Sequence, residues 1–385
     1  MSEYQYYEWL AVDRPLTEQE MDEVNGLSSH MEVVTATQAV VTYQWGSFKH
    51  DPAEVLFKYF DAMLYAANWG SRRVAFRFPA AAIDAKAIQA YCVQYRITLT
   101  RSGKYQVLNF ELSEEEGGDW IDVEGVLWRL IPVREQIMQG DYRALYLAWL
   151  KAMELEGEVG EEEFEDEEDG ERSESGPPVP AGLRKLNGGL KAFTDLFEID
   201  AHLVKAAAES SATQEPVSDQ ALAGALPRLS RQECEAFLLR FLQSEPGAGR
   251  ELRKRLSELA GVEKPAAAQQ SRSPSSLGAA ARRYEQEERQ REQVAAERKR
   301  IQELEELSRR EQATWTEVER LIELKQAKPY VQAVALLVNL RDLAAWQNRL
   351  PEFEARLRLL MSRYGGRWSL MERLRQAGLA SRPTG

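Results

Sequence analysis

Residues 72–112 read RRVAFRFPAAAIDAKAIQAYCVQYRITLTRSGKYQVLNFEL, and their periodicity sets the fold class. Over Arg73–Phe78 the side chains alternate with period two. Val74, Phe76 and Phe78 face one way and Arg73 and Arg77 the other, the pattern of a strand with one buried side. Ile83 to Tyr91 changes to helical spacing. Residues 95–101 and 105–112 return to β-branched and aromatic residues, and Ser102-Gly103 between them is a hairpin signal.

Toward the N-terminus, residues 4–12 (YQYYEWLAV) and 32–45 (EVVTATQAVVTYQW) read as further strands. Thr17-Glu18-Gln19-Glu20 is a capping box that starts a helix running to about Leu27. Asp51-Pro52 starts another, expected over 52–68 because Val55, Leu56, Tyr59, Phe60, Met63 and Ala67 recur at helical spacing. The order is then β-α-β-α-β-α-β-β. It implies an α+β N-terminal domain, a mostly antiparallel sheet with helices on one face. Residues 120–153 follow as a helical pair broken at Gly140.

Beyond this domain the composition changes. Residues 154–175 hold thirteen acids and one Arg, a net of −12 out of −13 for the whole chain of 385 residues. Such a run repels itself and buries nothing, so 154–180 reads as an acidic disordered linker. Residues 181–262 carry helix start signals and read as a small helical bundle, and 263–280 (EKPAAAQQSRSPSSLGAA) as a flexible linker. Residues 281–328 contain neither Gly nor Pro and read as one long charged helix of about 70 Å. Residues 329–385 read as a tetratricopeptide-like helical hairpin in which Leu337, Leu340, Leu343, Phe353, Leu357 and Leu360 face each other. Everything after the sheet domain is therefore expected to be all-α.

The residues that carry chemistry are sparse. Three His and two Cys are scattered, and none has a partner at metal-ligand spacing. Phosphate-binding, zinc-protease and nucleophile-elbow motifs are absent from the sequence. Asp61 and Asn68 fall seven apart on the expected 52–68 helix and read as a solvated polar face, with an acid/base pair as the alternative. Cys92 and Cys234 align with apolar neighbours and read as core residues. The reading calls for no cofactor and no metal. No apolar run approaches ~18 residues, so no membrane partner is expected. The start Met1-Ser2-Glu3-Tyr4 lacks a basic flank and an apolar core, and with so few Cys the expected location is the cytoplasm.

Two surface readings remain. Phe57, Tyr65 and Trp69 are aromatic anchors for a contact with an unidentified protein partner. Arg72, Arg73 and Arg77, near Trp45, Trp69 and Phe76, are candidates for a nucleic-acid contact, with a solvated sheet face as the plainer reading. Val294, Ile301, Trp315 and Ile322 share a heptad position, with Leu304 and Val318 at the complementary one. Homo-oligomerisation through a coiled coil over 281–328 is thus one use of that helix, and a solvated or intramolecularly docked helix the other.

The segments Tyr7–Leu16 (YEWLAVDRPL), Tyr65–Gly70 (YAANWG) and Gly140–Leu150 (GDYRALYLAWL) together resemble an uncharacterised bacterial protein family of no assigned activity. That resemblance brings no functional residues. The hairpin from Tyr330 to Gly378 is similar to the tail of some bacterial SWIM-type zinc-finger proteins, whose zinc motif this chain lacks. It implies a shared interaction module. The residues and the resemblances lead to a non-enzymatic cytoplasmic adaptor or scaffold. The alternative is a nucleic-acid-associated accessory protein working with a zinc-finger partner.

Overall fold

A computed structural model describes residues 3–113, 122–157, 175–213, 219–243, 248–261 and 271–380. The chain forms two compact units, Met1–Glu285 and Gln286–Gly385.

The first unit is built on one sheet of seven strands: β1 (Gln5–Leu10), β2 (Met31–Val34), β3 (Gln38–Tyr43), β4 (Ala62–Ala67), β5 (Arg72–Pro79), β6 (Ile97–Ser102) and β7 (Tyr105–Glu111). The order is β2-β3-β1-β4-β5-β7-β6, and every pairing is antiparallel. Alternate residues serve two cores. Tyr6, Leu10, Leu64, Val74, Phe76 and Phe110 enter one. Tyr7, Trp9, Val41, Met63, Ala75 and Val107 enter the other.

The second of these cores corrects two expectations. Helices α1 (Glu18–Asn25) and α2 (Pro52–Tyr59) cover it through Val24, Val55, Leu56 and Tyr59, so helices lie on both faces of the sheet. The helix expected over 52–68 ends at Tyr59. Phe60 is extended, and 62–67 is strand β4 between β1 and β5. A strand buried on both faces is apolar throughout, so its alternation does not show in the sequence.

The first core is closed by α3 (Ala85–Gln89), α4 (Val126–Met138), α5 (Arg143–Leu155), α6 (Gly188–Leu196) and α7 (Ala201–Glu209). Gly189 permits close approach of α6 to α4: a Cβ there would lie 3.3 Å from Cβ of Pro132 and 3.4 Å from the Arg129 carbonyl oxygen. The expected bundle over 181–262 is therefore divided. Its first two helices belong to the sheet core. Helices α8 (Asp219–Ala225), α9 (Arg231–Leu242) and α10 (Ala248–Leu259) gather around a small separate cluster of Leu222, Ala225, Leu229 and Leu256.

The ends of both expected linkers are ordered parts of this unit. The Gly176 N–H donates to the Arg272 carbonyl (3.1 Å), Pro178 bridges Ser271, and the Tyr91 hydroxyl donates to the Pro178 carbonyl (2.9 Å). A Cβ on Gly176 would stand 2.6 Å from the Arg272 carbonyl oxygen and from the Trp149 ring, so only glycine fits. Helix α11 (Pro274–Arg309) begins seven residues before the expected 281, because Leu277, Ala280 and Ala281 bury against the core. Residues 158–174 and 263–270 of the two linkers lie outside the described residues.

The second unit contains the rest of α11, then α12 (Glu311–Glu323), α13 (Ala327–Trp346), α14 (Leu350–Tyr364) and α15 (Trp368–Gln376). The long helix breaks at Arg310 and not at Pro329, which sits in the first turn of α13. Trp315, Val318 and Ile322 are buried in one cluster with Leu337, Leu340, Leu343, Phe353, Leu357 and Leu360. Of the expected coiled-coil seam, Leu304, Trp315, Val318 and Ile322 are thus used inside the chain while Val294 stays exposed, and the break at Arg310 interrupts its register. Among the described residues, no helix is long and apolar enough to cross a membrane.

Candidate interaction surface

The aromatic residues singled out in the sequence do not form one patch. Phe57, on α2, is half-buried against the second core. Tyr65, on β4, is half-buried with its ring 4.7 Å from that of Tyr7. Trp69, in the turn after β4, is 40 % exposed. A second tryptophan lies at the same end of the sheet. Gln5 is opposite both Tyr43 of β3 and Ala67 of β4, so the loops carrying Trp45 and Trp69 leave the sheet on either side of the start of β1. Gln5 braces the Trp45 loop. Its amide donates to the Gly46 carbonyl (2.7 Å) while its oxygen accepts from the Tyr7 hydroxyl (2.7 Å). Burial raises the Tyr7 phenol above its ordinary pKa, and it stays a protonated donor.

The nucleic-acid reading of the arginines is corrected at two of three positions. Arg72 is buried and donates to the Leu196 carbonyl (2.9 Å) and Glu198 (2.9 Å). Arg77 is buried and donates to the Phe57 carbonyl (2.6 Å) and Asp61 (2.8 Å), with its guanidinium 4.4 Å from the centre of the Tyr105 ring. An open sheet face would leave both in solvent; instead α2 and the turn after α6 cover them. Arg73, half-buried, donates to Asn109 (2.5 Å).

Asp61 is likewise no solvated helix residue. It is buried at the entry to β4 and accepts from the backbone N–H of Val12 (2.8 Å) and Asp13 (2.9 Å) as well as from Arg77. Arg134 of α4, with no exposed surface, donates to both oxygens of Asp13 (3.0 and 2.8 Å) and to the Arg77 carbonyl. Two cations and two carboxylates compensate one another, and this arrangement holds structure together. Asn68 lies apart, accepting from the Tyr4 N–H (3.0 Å).

Among the described residues, no group of three His, Cys, Asp or Glu side chains could hold a metal ion. His30 and His50 pack against Tyr43 and Phe48, and His202 Nδ1 lies 3.3 Å from Asp200. Cys92 is half-buried, its thiol within 3.7 Å of the Ile88 carbonyl and its pKa pushed up by burial, which disfavours the nucleophilic thiolate.

The surface with the clearest apolar excess corrects an expectation: the apolar neighbours of Cys234 (Leu238 and Phe241 among them) are expected in a core and are exposed on α9. Ser230 caps α9 by a capping box with Glu233, so the helix is well specified. Yet none of its residues is buried. Leu238, Leu239, Phe241 and Leu242 are 62, 57, 45 and 82 % exposed. The signal was present: Phe237-Leu238-Leu239-Arg240-Phe241-Leu242 has more apolar residues than one buried stripe uses. No protein-family model, curated protein or solved structure matches the chain at a significant level. The surface is therefore interpreted from its own chemistry.

Proposed function

We propose that this chain is a cytoplasmic, non-enzymatic adaptor that works through protein–protein contacts, with α9 as its principal contact element. The observation that carries this reading is the open apolar face of α9. A capped helix whose large side chains Leu238, Leu239, Phe241 and Leu242 all meet water leaves a contiguous apolar surface of the kind that marks interaction sites. Trp45 and Trp69, at one end of the sheet, add a second aromatic surface. A protein partner is favoured over nucleic acid because Arg72 and Arg77 are spent on internal acceptors. The resemblance of the C-terminal hairpin to an interaction module fits the same reading.

The test is copurification of the tagged full chain from native lysate beside Leu238→Lys/Leu242→Lys. The wild type should retain stoichiometric protein partners and the variant should lose them. A wild-type chain that emerges alone at every salt concentration, or a variant that keeps all its partners, overturns the assignment.

A further inference from the structure

A groove of about 580 Å3 lies between α6, α7 and the early turns of α11. Its apolar part is aliphatic, with Leu186, Val204 and Ala208 among its lining. Its charged part is dominated by the exposed cations Arg184, Lys191 and Lys205, and among the described residues none of the three pairs with a carboxylate. Arg184 is held in place by bonds to the last carbonyls of α7, at Ala208 (3.1 Å) and Glu209 (3.4 Å). Lys205 sits 4.0 Å over the ring of Tyr284.

One acid, Glu209, also lines the groove, and its charge is already matched. Arg272 (3.2 Å), Arg283 (2.7 Å) and the Tyr284 hydroxyl (2.5 Å) all donate to it. The groove therefore presents net positive charge around an aliphatic strip.

We propose that this groove binds an acidic amphipathic helix of a protein partner. An apolar stripe at i, i+3/i+4 and i+7 would cover Leu186, Val204 and Ala208, and flanking carboxylates would reach Arg184, Lys191 and Lys205. Nucleic acid fits less well. Single strands are held by stacking platforms, and the one ring lining this groove already has Lys205 over its face. The inference rests on the adaptor reading and adds a second contact, away from α9, with a stated partner chemistry.

The experiment titrates purified full-length protein into a labelled helical peptide of about 16 residues, roughly two heptad-like repeats of Leu stripe flanked by Glu. A composition-matched isomer with the Leu residues dispersed serves as control, and poly(U) as competitor. The amphipathic peptide should bind at least ~10-fold tighter than the isomer, and Lys191→Glu/Lys205→Glu should weaken it by ~10-fold or more. Binding should persist in Leu238→Lys/Leu242→Lys. Equal affinity for the two isomers, indifference to the lysine reversals, loss in the α9 variant, or stronger competition by poly(U) than by unlabelled peptide each overturns the groove assignment. A wild type that copurifies with partners through α9 but binds no peptide separates failure of this inference from failure of the adaptor reading.

Discussion

Glu8 sits in the middle of β1, between Tyr6 and Leu10 on the face toward the first core, with no exposed surface. Its carboxylate accepts from Gln38 (2.7 Å) and from the Tyr6 hydroxyl (3.2 Å). Burial is the largest influence on it and raises its pKa above the ordinary 4.5; the bonds from Gln38 and Tyr6 oppose that, and the charge of Glu124 adds to it. A carboxyl whose folded pKa is raised binds its proton more tightly in the native state than in the unfolded one. Its contribution to stability is full below pH 4.5 and is lost as pH rises through the folded value. Glu8→Gln removes this slope. Urea midpoints measured from pH 4.5 to 8 should therefore show the variant gaining on the wild type as pH increases. Parallel curves for the two proteins would sink the claim.

At the scale of elements, Arg134 fastens α4 to the sheet. Its two bonds to the Arg77 carbonyl and two to Asp13 join the helix to β5 and to the segment after β1, while Asp61 collects Val12, Asp13 and Arg77 beside it. Arg134→Ala removes one member of a buried, balanced set and leaves Asp13 and Asp61 undercompensated. Such losses cost about 3–5 kcal/mol, far more than a surface pair is worth. The urea midpoint of the first unit should fall accordingly at constant m-value, and a change under about 1 kcal/mol would show that the cluster is dispensable. None of this was legible in the sequence, because Asp13, Asp61, Arg77 and Arg134 are brought together only by tertiary structure. The elements themselves were more legible. The capping box expected at Thr17 forms, and the 73–78 alternation and the Ser102-Gly103 hairpin are strands β5, β6 and β7. Failures occurred where packing overrides local pattern. Strand β4 has Ala62, Leu64 and Ala66 on one face and Met63, Tyr65 and Ala67 on the other, so its sequence could not show which period it follows. The turn at Arg310 has no Gly or Pro to announce it; it lies where Leu307 and Trp315 enter a common core. The start of α11 reads as linker by composition, and Leu277 alone among its first residues hints at docking.

For the whole molecule, the decisive fact is that the two units have separate apolar cores and one helix running through both segments of chain. Residues 288–299 of α11 are exposed without interruption and carry Arg289, Arg291, Arg298 and Lys299. Of the salt bridges there, Arg291 to Glu287 is long at 3.8 Å, and an exposed i,i+4 pair adds only about 0.3–0.5 kcal/mol. Opening this stretch forfeits helix hydrogen bonds but almost no buried apolar surface, which places it at the low end of local stability. Limited trypsin digestion should therefore make its first cut among the described residues between Arg289 and Arg300, leaving two fragments identifiable by mass. Each fragment should keep its own cooperative unfolding transition, because Trp9 and its neighbours stay with the larger piece and Trp315, Val318 and Phe353 with the smaller. Trp315→Ala serves as the internal check. It empties the centre of the smaller core, where the Phe353 ring lies 5.7 Å and the Arg356 guanidinium 4.3 Å from the Trp315 ring, and should cost about 3–5 kcal/mol in that transition while leaving the larger fragment unchanged. A helix that resists trypsin until the whole protein unfolds, or a single transition that shifts as one in the variant, would mean that the two cores are energetically one.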